Sequence, residues 1–138
     1  MELRPIGIIR TPFEDVSGTP IQPAFANDAE GTVEVFPEFA EGLADLAGYE
    51  RIWLVYWFDR AGCTRLRVIP FRDTRERGLF ATRAPCRPNP IGLSCVRLVS
   101  LAESVLRVAG VDVLDKTPLL DIKPYVPEFD AYPVSRTG

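Results

Sequence analysis

Histidine is absent from this 138-residue chain. Without an imidazole, the chain cannot form Ser-His-Asp or Cys-His nucleophile systems, and it lacks the ligand that zinc and non-haem iron sites use most often. The sequence therefore excludes these catalytic classes, and we expect no metal site. Any chemistry has to come from carboxylates, amides, arginine, lysine, tyrosine or an exogenous cofactor.

Cysteine and long apolar runs are also scarce. The three cysteines, Cys63, Cys86 and Cys95, are odd in number and form no C-x-x-C pair, so we expect neither a disulfide framework nor a zinc ribbon. No apolar run approaches the roughly 20 residues that span a bilayer, and the N-terminus lacks the pattern of a signal peptide. We therefore expect a soluble, unexported protein with no membrane partner, located in the reducing cytoplasm.

Lysine is missing from the central part of the chain, where arginine is concentrated. Residues 60–87 hold eight arginines and two acidic residues, Asp73 and Glu76, so their net charge is +6. Because the whole chain has a net charge of −3, the remaining residues carry −9. Guanidinium groups pair bidentately with phosphate, which suggests an RNA partner. A solvated arginine-rich loop is the alternative. The arginines are Arg60, Arg65, Arg67, Arg72, Arg75, Arg77, Arg83 and Arg87.

Thirteen prolines and ten glycines divide the chain into short segments, which is typical of an all-β fold. Eight segments rich in Val, Ile, Leu and aromatic residues are strand candidates. They are Gly7 to Thr11, Thr32 to Phe36, Arg51 to Phe58, Leu66 to Ile69, Leu79 to Thr82, Leu93 to Leu101, Val105 to Val113 and Leu119 to Ile122. The length favours one domain, residues 1–138.

One short helix is predicted over Glu38 to Ala47, between Pro37 and Gly48. So little helix among so many short, mainly antiparallel strands favours a small β-barrel, because closure removes the exposed edges of a sheet.

The segment Phe80-Ala-Thr-Arg-Ala-Pro-Cys-Arg-Pro-Asn-Pro-Ile-Gly-Leu-Ser94 is the most unusual in the chain. Its prolines restrict the backbone, and in an extended conformation Arg87 and Asn89 point to the same side. A rigid loop with a guanidinium and a carboxamide is a preorganised recognition surface. The alternative is a proline-stiffened turn that only directs the next strand.

Three other segments carry polar groups in a suggestive arrangement. Asp121, Lys123 and Tyr125 alternate along one strand face, where they could serve a ligand or form a salt bridge. Trp53 and Trp57 share one face of their strand, with Tyr56 and Phe58 on the other. Most of these rings belong in a core, whereas the Asp59-Arg60 pair that follows them is the better candidate for a functional role. Gln22 is the distinctive side chain of the loop Gly18 to Pro23.

Together, these segments resemble the TsaA-like (TrmO) family of tRNA adenosine-N6-methyltransferases over nearly the whole chain. The most specific parts are Phe80-Ala-Thr-Arg83, Arg87-Pro-Asn-Pro-Ile-Gly-Leu-Ser94 and Thr117-Pro-Leu-Leu-Asp-Ile-Lys-Pro-Tyr125. The resemblance implies a small, usually dimeric β-barrel that binds S-adenosylmethionine without a Rossmann sheet. It also implies a substrate, the N6-threonylcarbamoyladenosine beside the anticodon of certain tRNAs, which is methylated on N6.

The resemblance also assigns residues to the cofactor site. These are Pro20, Ile21, Gln22, Asp59, Arg60, Arg83, Leu93, Pro118, Leu119, Leu120 and Asp121. Asp59 stands where many relatives have histidine. Many bacterial relatives also carry an additional C-terminal domain, so the chain is similar to the short form of the family.

Methyl transfer to this substrate suggests roles for particular side chains. Asp121 is the candidate base, with Lys123 tuning it, and Asn89 could orient the N6-H. Tyr125 could stack on the base. Arg83 and Arg87 could pair with the threonine carboxylate or a phosphate. Arg75, Arg77 and Arg87 are the candidate RNA contacts.

Two other functions remain open at this point. A non-catalytic RNA-binding barrel would use the arginines on phosphates and exposed aromatic rings on bases. A methyltransferase with the same cofactor could act on another substrate, because a shared fold does not fix a substrate.

Overall fold

A computed structural model describes residues 1–14, 29–70 and 73–138. Its main feature is a closed six-stranded barrel with the strand order β1-β2-β7-β6-β3-β8, in which all neighbours are antiparallel. A separate two-stranded sheet pairs β4 with β5. The strands are β1 (Gly7–Arg10), β2 (Glu30–Val35), β3 (Arg51–Trp57), β4 (Arg67–Val68), β5 (Arg77–Gly78), β6 (Ile91–Ala102), β7 (Val105–Ala109) and β8 (Thr117–Pro124). The all-β barrel expected from the sequence is confirmed.

Strand β3 shows how the sequence fills the barrel. Ile52, Leu54 and Tyr56 point inward and are at most 3% exposed, whereas Trp53 and Trp57 lie on the outer surface. Successive side chains of a strand point to opposite faces, so this alternation separates core from surface. The expected division of the aromatic residues between two faces is confirmed.

The predicted helix over Glu38 to Ala47 is replaced by two 3₁₀ helices, Pro37–Leu43 and Leu46–Gly48. Between them, Asp45 has a φ of 70°, in the left-handed region, which interrupts the helical backbone. Among the described residues, an α-helix is found instead at α1 (Pro127–Asp130), near the C-terminus. None of the helices in the described ranges is long and apolar enough to cross a membrane.

The predicted strand Leu79 to Thr82 is wrong, because Leu79–Ala81 forms a 3₁₀ helix. Both the backbone N-H and the side-chain hydroxyl of Thr82 donate hydrogen bonds to the Leu79 carbonyl, which closes this turn. The Leu79 side chain is buried and anchors the turn, while the neighbouring Phe80 ring is 74% exposed.

Residues 58–90, which join β3 to β6 and are called the arginine loop below, are closed by a disulfide. Cys63 and Cys86 are bonded, with their Cα atoms 5.1 Å apart, so the expectation of unpaired cysteines is wrong for these two. The loop folds back on itself through the β4–β5 pair, and Arg65 N-H donates to the Cys86 carbonyl. This folding brings together two cysteines that are 23 residues apart in sequence.

Six strand ends lie together at one end of the barrel, called the loop end below. Trp57 pairs with Ile91, and Tyr56 with Leu119, so the end of β3 lies beside the starts of β6 and β8. Glu30 pairs with Ala109, which places the end of β7 there as well. The strand ends that flank the connections β1–β2, β3–β6 and β7–β8 therefore lie at the same end. These connections contain most of the residues that the sequence predicts to be functional.

Candidate functional site at the loop end of the barrel

A chain of three hydrogen-bonded side chains lies at the loop end. The Tyr56 hydroxyl is 2.7 Å from the Ser94 hydroxyl, which lies 2.8 Å from Oδ1 of Asp112. Tyr56 and Ser94 are 3% and 2% exposed, and Asp112 is partly exposed. The chain leads from the barrel interior, through β6, to a carboxylate in the β7–β8 connection.

The direction of this hydrogen-bond chain follows from the charge on Asp112. An ionised carboxylate accepts hydrogen bonds only, so Ser94 donates its single hydroxyl proton to Asp112. Ser94 can then only accept from Tyr56, whose hydroxyl is therefore the donor. Two hydroxyl groups in series are thus oriented toward one carboxylate.

Burial shifts the pKa of both ionisable groups in this chain. Burial first, and then the negative charge of Asp112, raise the pKa of Tyr56, so its phenol stays protonated. Burial also raises the pKa of Asp112 to about 6, against the Ser94 hydrogen bond and the positive charge of Arg83, which both lower it. Arg83 acts on the pKa of both groups and so lies near this end of the barrel.

Arg60 braces the loops around this site. Its Nη2 donates to the Asp115 carbonyl at 2.7 Å and to the Thr117 hydroxyl at 3.2 Å. Oδ1 of Asp115 in turn accepts from the N-H of Thr11, which follows β1. One arginine and one aspartate therefore connect all three projecting segments.

The proline-rich segment is held together by one of its own arginines. Nη1 of Arg87 donates to the carbonyls of Thr82 and Ala84, at 3.0 and 3.1 Å. Its guanidinium carbon lies 5.7 Å from the centroid of the Phe80 ring, within range of a cation–π contact. Arg87 therefore has a clear role in the conformation of the loop. Asn89 is exposed and lies two residues before the start of β6.

The two other candidate RNA contacts lie on the β4–β5 side of the arginine loop. Nε of Arg77 is 2.6 Å from Oδ2 of Asp73, while Oδ1 of Asp73 accepts the backbone N-H groups of Thr74 and Arg75. The hydrogen bond from Arg77 lowers the pKa of Asp73. The charge of Arg77 is thus partly balanced within the loop, whereas the exposed Arg75 contributes its backbone to the same turn.

Asp121, Lys123 and Tyr125 lie on the outer face of the barrel wall. Oδ2 of Asp121 is 3.1 Å from Nζ of Lys123, and the rings of Tyr125 and Trp53 are 5.8 Å apart. Asp121 pairs across the sheet with Val55, and the interior faces of the same strands carry Tyr56 and the core. The salt bridge considered from the sequence is present, and Asp121 lies on the other side of the wall from Ser94.

The remaining sequence-predicted residues are spread over this region. Leu93 is 54% exposed on the outer face, and Asp59 is exposed beside Arg60. Pro118 and Leu120 are partly buried, whereas Leu119 is fully buried and packs in the core. The loop residues Pro20, Ile21 and Gln22 lie outside the described residues.

The family model described as the tRNA-methyltransferase O N-terminal domain matches residues 8–131, which is almost the whole chain. The chain belongs to the TrmO family. It is 56% identical over 135 residues to a probable S-adenosyl-L-methionine-binding protein of Pyrococcus abyssi, covering 98% of this chain and 73% of that one. It is 33% identical over 138 residues to the tRNA (adenine(37)-N6)-methyltransferase of Escherichia coli, covering 93% and 59%.

Solved structures of TrmO have the same fold. The crystal structure of TrmO from Pseudomonas aeruginosa superposes with a TM-score of 0.85 at 41% identity, covering all of this chain and 61% of the other. The present chain therefore spans about three fifths of that TrmO chain.

Sequence reasoning missed the hydrogen-bonded side chains within this TrmO-family barrel. Asp112 falls inside the predicted strand Val105 to Val113, with a valine on either side. An acidic residue in such an apolar run is the signal that could have drawn attention to it, because a buried carboxylate needs hydrogen-bonding partners. Its partners Tyr56 and Ser94 are distant in sequence and come close only when the barrel closes.

Asp112 is expected to lower the stability of the TrmO-family barrel at neutral pH. Its folded-state pKa is about 6 against an ordinary 3.8, so ionisation opposes folding, and the penalty develops as the pH rises from about 4 to about 6. A shift of this size corresponds to about 3 kcal/mol. The free energy of unfolding of Asp112→Asn, compared with that of the unaltered chain, should therefore be higher at pH 7 than at pH 4.

Urea unfolding at both pH values measures this difference. Glu41→Gln, a change on an exposed 3₁₀ helix, is the matched control and should show no such trend. A stability difference for Asp112→Asn that stays constant from pH 4 to pH 7 would contradict the raised pKa.

Proposed function

We propose that this chain is an S-adenosylmethionine-dependent tRNA methyltransferase that methylates N6 of N6-threonylcarbamoyladenosine at position 37 of tRNA. The observation that carries the proposal is family membership over residues 8–131, together with the similarity to the Escherichia coli enzyme that acts at adenine 37. Several similar proteins are named S-adenosyl-L-methionine-binding proteins, which supports the choice of cofactor.

The loop end offers groups that suit S-adenosylmethionine, which carries a cationic sulfonium, a carboxylate and an adenine. The exposed carboxylate of Asp59 can face positive charge, and the exposed guanidinium of Arg83 can pair with a carboxylate. We propose that the cofactor is held by the residues that the resemblance assigns. These are Pro20, Ile21, Gln22, Asp59, Arg60, Arg83, Leu93, Pro118, Leu119, Leu120 and Asp121.

S-Adenosylmethionine supplies an electrophilic methyl group whose displacement leaves a neutral thioether. The protein then chiefly has to hold the accepting nitrogen in line with that methyl group, and orientation of this kind can lower a barrier by several kcal/mol. We propose that Asn89, rigidly placed between two prolines, orients the N6-H through its amide oxygen. Arg83 and Arg87 face the threonine carboxylate or a neighbouring phosphate.

The arginine loop is the proposed contact with tRNA. Its charge of +6 over residues 60–87 contrasts with the acidic remainder of the chain, so an RNA backbone is attracted to this side of the molecule. Arg75, Arg77 and Arg87 are the proposed phosphate contacts. We also propose a cytoplasmic location, because tRNA is the proposed substrate.

We also propose that the protein is a homodimer. Trp57, Ile91 and Leu93 lie on the outer face of the neighbouring strands β3 and β6, and they are 44%, 38% and 54% exposed. Contiguous exposed apolar surface of this kind often marks a contact with another protein. Because Leu93 is also a proposed cofactor residue, this contact would adjoin the cofactor site.

Calorimetric titration with S-adenosylmethionine tests the proposed cofactor. We expect micromolar binding by the unaltered chain and at least about tenfold weaker binding by Arg83→Ala, which corresponds to about 1.4 kcal/mol for a lost charge-assisted contact. Arg67→Ala is the matched control, because Arg67 lies in the same loop but forms an exposed ion pair with Glu76. This control should bind like the unaltered chain.

Two outcomes would contradict the proposal. Absence of binding, together with salt-dependent RNA affinity, would favour the non-catalytic RNA-binding barrel. The chain could bind the cofactor while cells that lack the protein still contain the expected modified nucleoside. That combination would favour a methyltransferase with another substrate.

A further inference from the structure

The loop end contains an ionisable group that neither the sequence motifs nor the proposed cofactor contacts use. Resting on the proposed function, we infer that Asp112 is the catalytic base that accepts the N6 proton during methyl transfer, with Ser94 and Tyr56 as its positioning residues.

The step balances without any further reactant. The nitrogen lone pair forms the new N–C bond to the methyl group while the C–S bond breaks. The electron pair of the C–S bond stays on sulfur, which becomes a neutral thioether. The N–H bond gives up its proton to the Asp112 carboxylate, leaving its electron pair on nitrogen. The carboxylic acid then returns this proton to solvent, which its partial exposure allows.

The hydrogen bonds of Asp112 keep it available as an acceptor. Ser94 occupies Oδ1 at 2.8 Å and is itself fixed by Tyr56 at 2.7 Å, so the carboxylate is held in one orientation. Both positioning residues are at most 3% exposed, and their side chains cannot turn away without leaving a buried hydroxyl unsatisfied. A carboxylate with a fixed orientation and partial exposure meets the geometric need of a general base.

Asp121, the base suggested by the sequence, is less well placed. It is paired with Lys123 at 3.1 Å, and its Oδ1 accepts the backbone N-H of Ile122. Both oxygens of the Asp121 carboxylate are therefore already engaged by neighbouring donors on the outer face. In this position Asp121 suits a binding role on the outer face.

The electrostatics of Asp112 support the same assignment. The groups acting on it are Ser94 on β6, its own backbone N-H and Arg83 on the arginine loop, while Asp112 in turn acts on Tyr56 of β3. Burial raises its pKa to about 6, although Ser94 and Arg83 lower it. The carboxylate is thus still ionised at neutral pH yet more basic than an ordinary aspartate, which is the compromise that favours general-base catalysis.

The first test is the rate of tRNA methylation against pH. We expect Asp112→Asn to lose about 100-fold or more in kcat, as is typical when a general base is removed, while it still binds S-adenosylmethionine within about twofold. In the unaltered protein, kcat should fall below about pH 6, following the pKa of Asp112. Glu41→Gln removes a carboxylate at the other end of the barrel and should leave the rate unchanged.

The variant Ser94→Ala distinguishes a general base at Asp112 from an Asp112 that only stabilises the structure. Loss of its hydrogen bond removes a contact that lowers the pKa of Asp112, so the acid limb of the rate profile should move to higher pH. The titration of the Asp112 carboxyl, followed by NMR in the protein without cofactor, should move in the same direction. If Asp112 has only a structural role, Ser94→Ala should move the NMR midpoint of Asp112 but leave the acid limb of the rate profile in place.

The possible results separate this inference from the proposed function. Binding of S-adenosylmethionine together with full turnover by Asp112→Asn would overturn the inference alone. An acid limb that stays in place in Ser94→Ala while the NMR midpoint of Asp112 moves would also overturn it. Absence of cofactor binding by the unaltered chain would overturn the proposed function and this inference with it.

Discussion

Gly92→Ala is expected to lower the free energy of unfolding by about 3 kcal/mol, the upper part of the usual range for overpacking. A Cβ atom at this position would lie 2.2 Å from Cε2 and 2.7 Å from Cζ of Tyr56, and 2.8 Å from Cζ of Phe58. These rings already pack edge to face, with centroids 5.4 Å apart. Tyr56 is 3% exposed and its hydroxyl is bound to Ser94, so the ring cannot move aside without breaking that bond.

Urea unfolding measures this loss, and Gly78→Ala is the matched control. Gly78 ends β5 with an ordinary φ of −61°, and a Cβ atom there would meet nothing within 4 Å. The control should change stability by no more than about 0.5 kcal/mol. Equal stability of the two variants would mean that the Tyr56 ring has room to shift and that the hydrogen bonds to Asp112 are less rigid than the structure indicates.

Much of the barrel wall can be predicted from the sequence because local patterns determine it. The alternation of β3, with Ile52, Leu54 and Tyr56 inside, follows from period two and from β-branched and aromatic residues. The many short strands and the scarcity of helix also predict a barrel, and the family resemblance implies the same architecture. The strand order β1-β2-β7-β6-β3-β8 is set by long-range pairing that no single segment encodes.

The wrong secondary-structure predictions share one cause. Leu79 to Thr82 has the composition of a strand, but Thr82 closes a turn on the Leu79 carbonyl and the Leu79 side chain is buried as an anchor. In Glu38 to Ala47 the helical spacing of apolar residues is present, yet the left-handed backbone of Asp45 interrupts it. The average preference is overridden in the first segment by a local hydrogen bond and in the second by the left-handed conformation of one residue.

The candidate site is only partly predictable, for a similar reason. Motifs identify Arg83 and Asn89 because these residues stand in unusual local sequence. Asp112 carries no motif, and its importance comes from Tyr56 and Ser94, which reach it across the loop end. The disulfide was missed because three cysteines without regular spacing give no pairing, and the pairing depends on how the arginine loop folds.

Removal of that disulfide by the double change Cys63→Ser and Cys86→Ser is expected to lower the free energy of unfolding by about 3 kcal/mol. This is the value that chain entropy gives for a loop of roughly two dozen residues. The bond joins residues 23 apart, so without it the unfolded chain gains much of the freedom that the cross-link removes. Urea unfolding with and without a reducing agent measures the loss, and reduction of the unaltered protein should reproduce it.

The same double change should also weaken tRNA binding, because the disulfide closes the segment from which the arginines project. A loop that is already ordered loses less conformational freedom when it binds. In the variant the loop has to become ordered on binding, and this cost reduces the affinity. Cys95→Ser is the matched control, since Cys95 is an unpaired, partly buried cysteine on β6, outside the arginine loop. We expect at least about tenfold weaker tRNA binding for the double variant and little change for the control. Equal affinity of the two would show that β4, β5 and the Arg87 contacts are sufficient to hold the loop in its binding conformation.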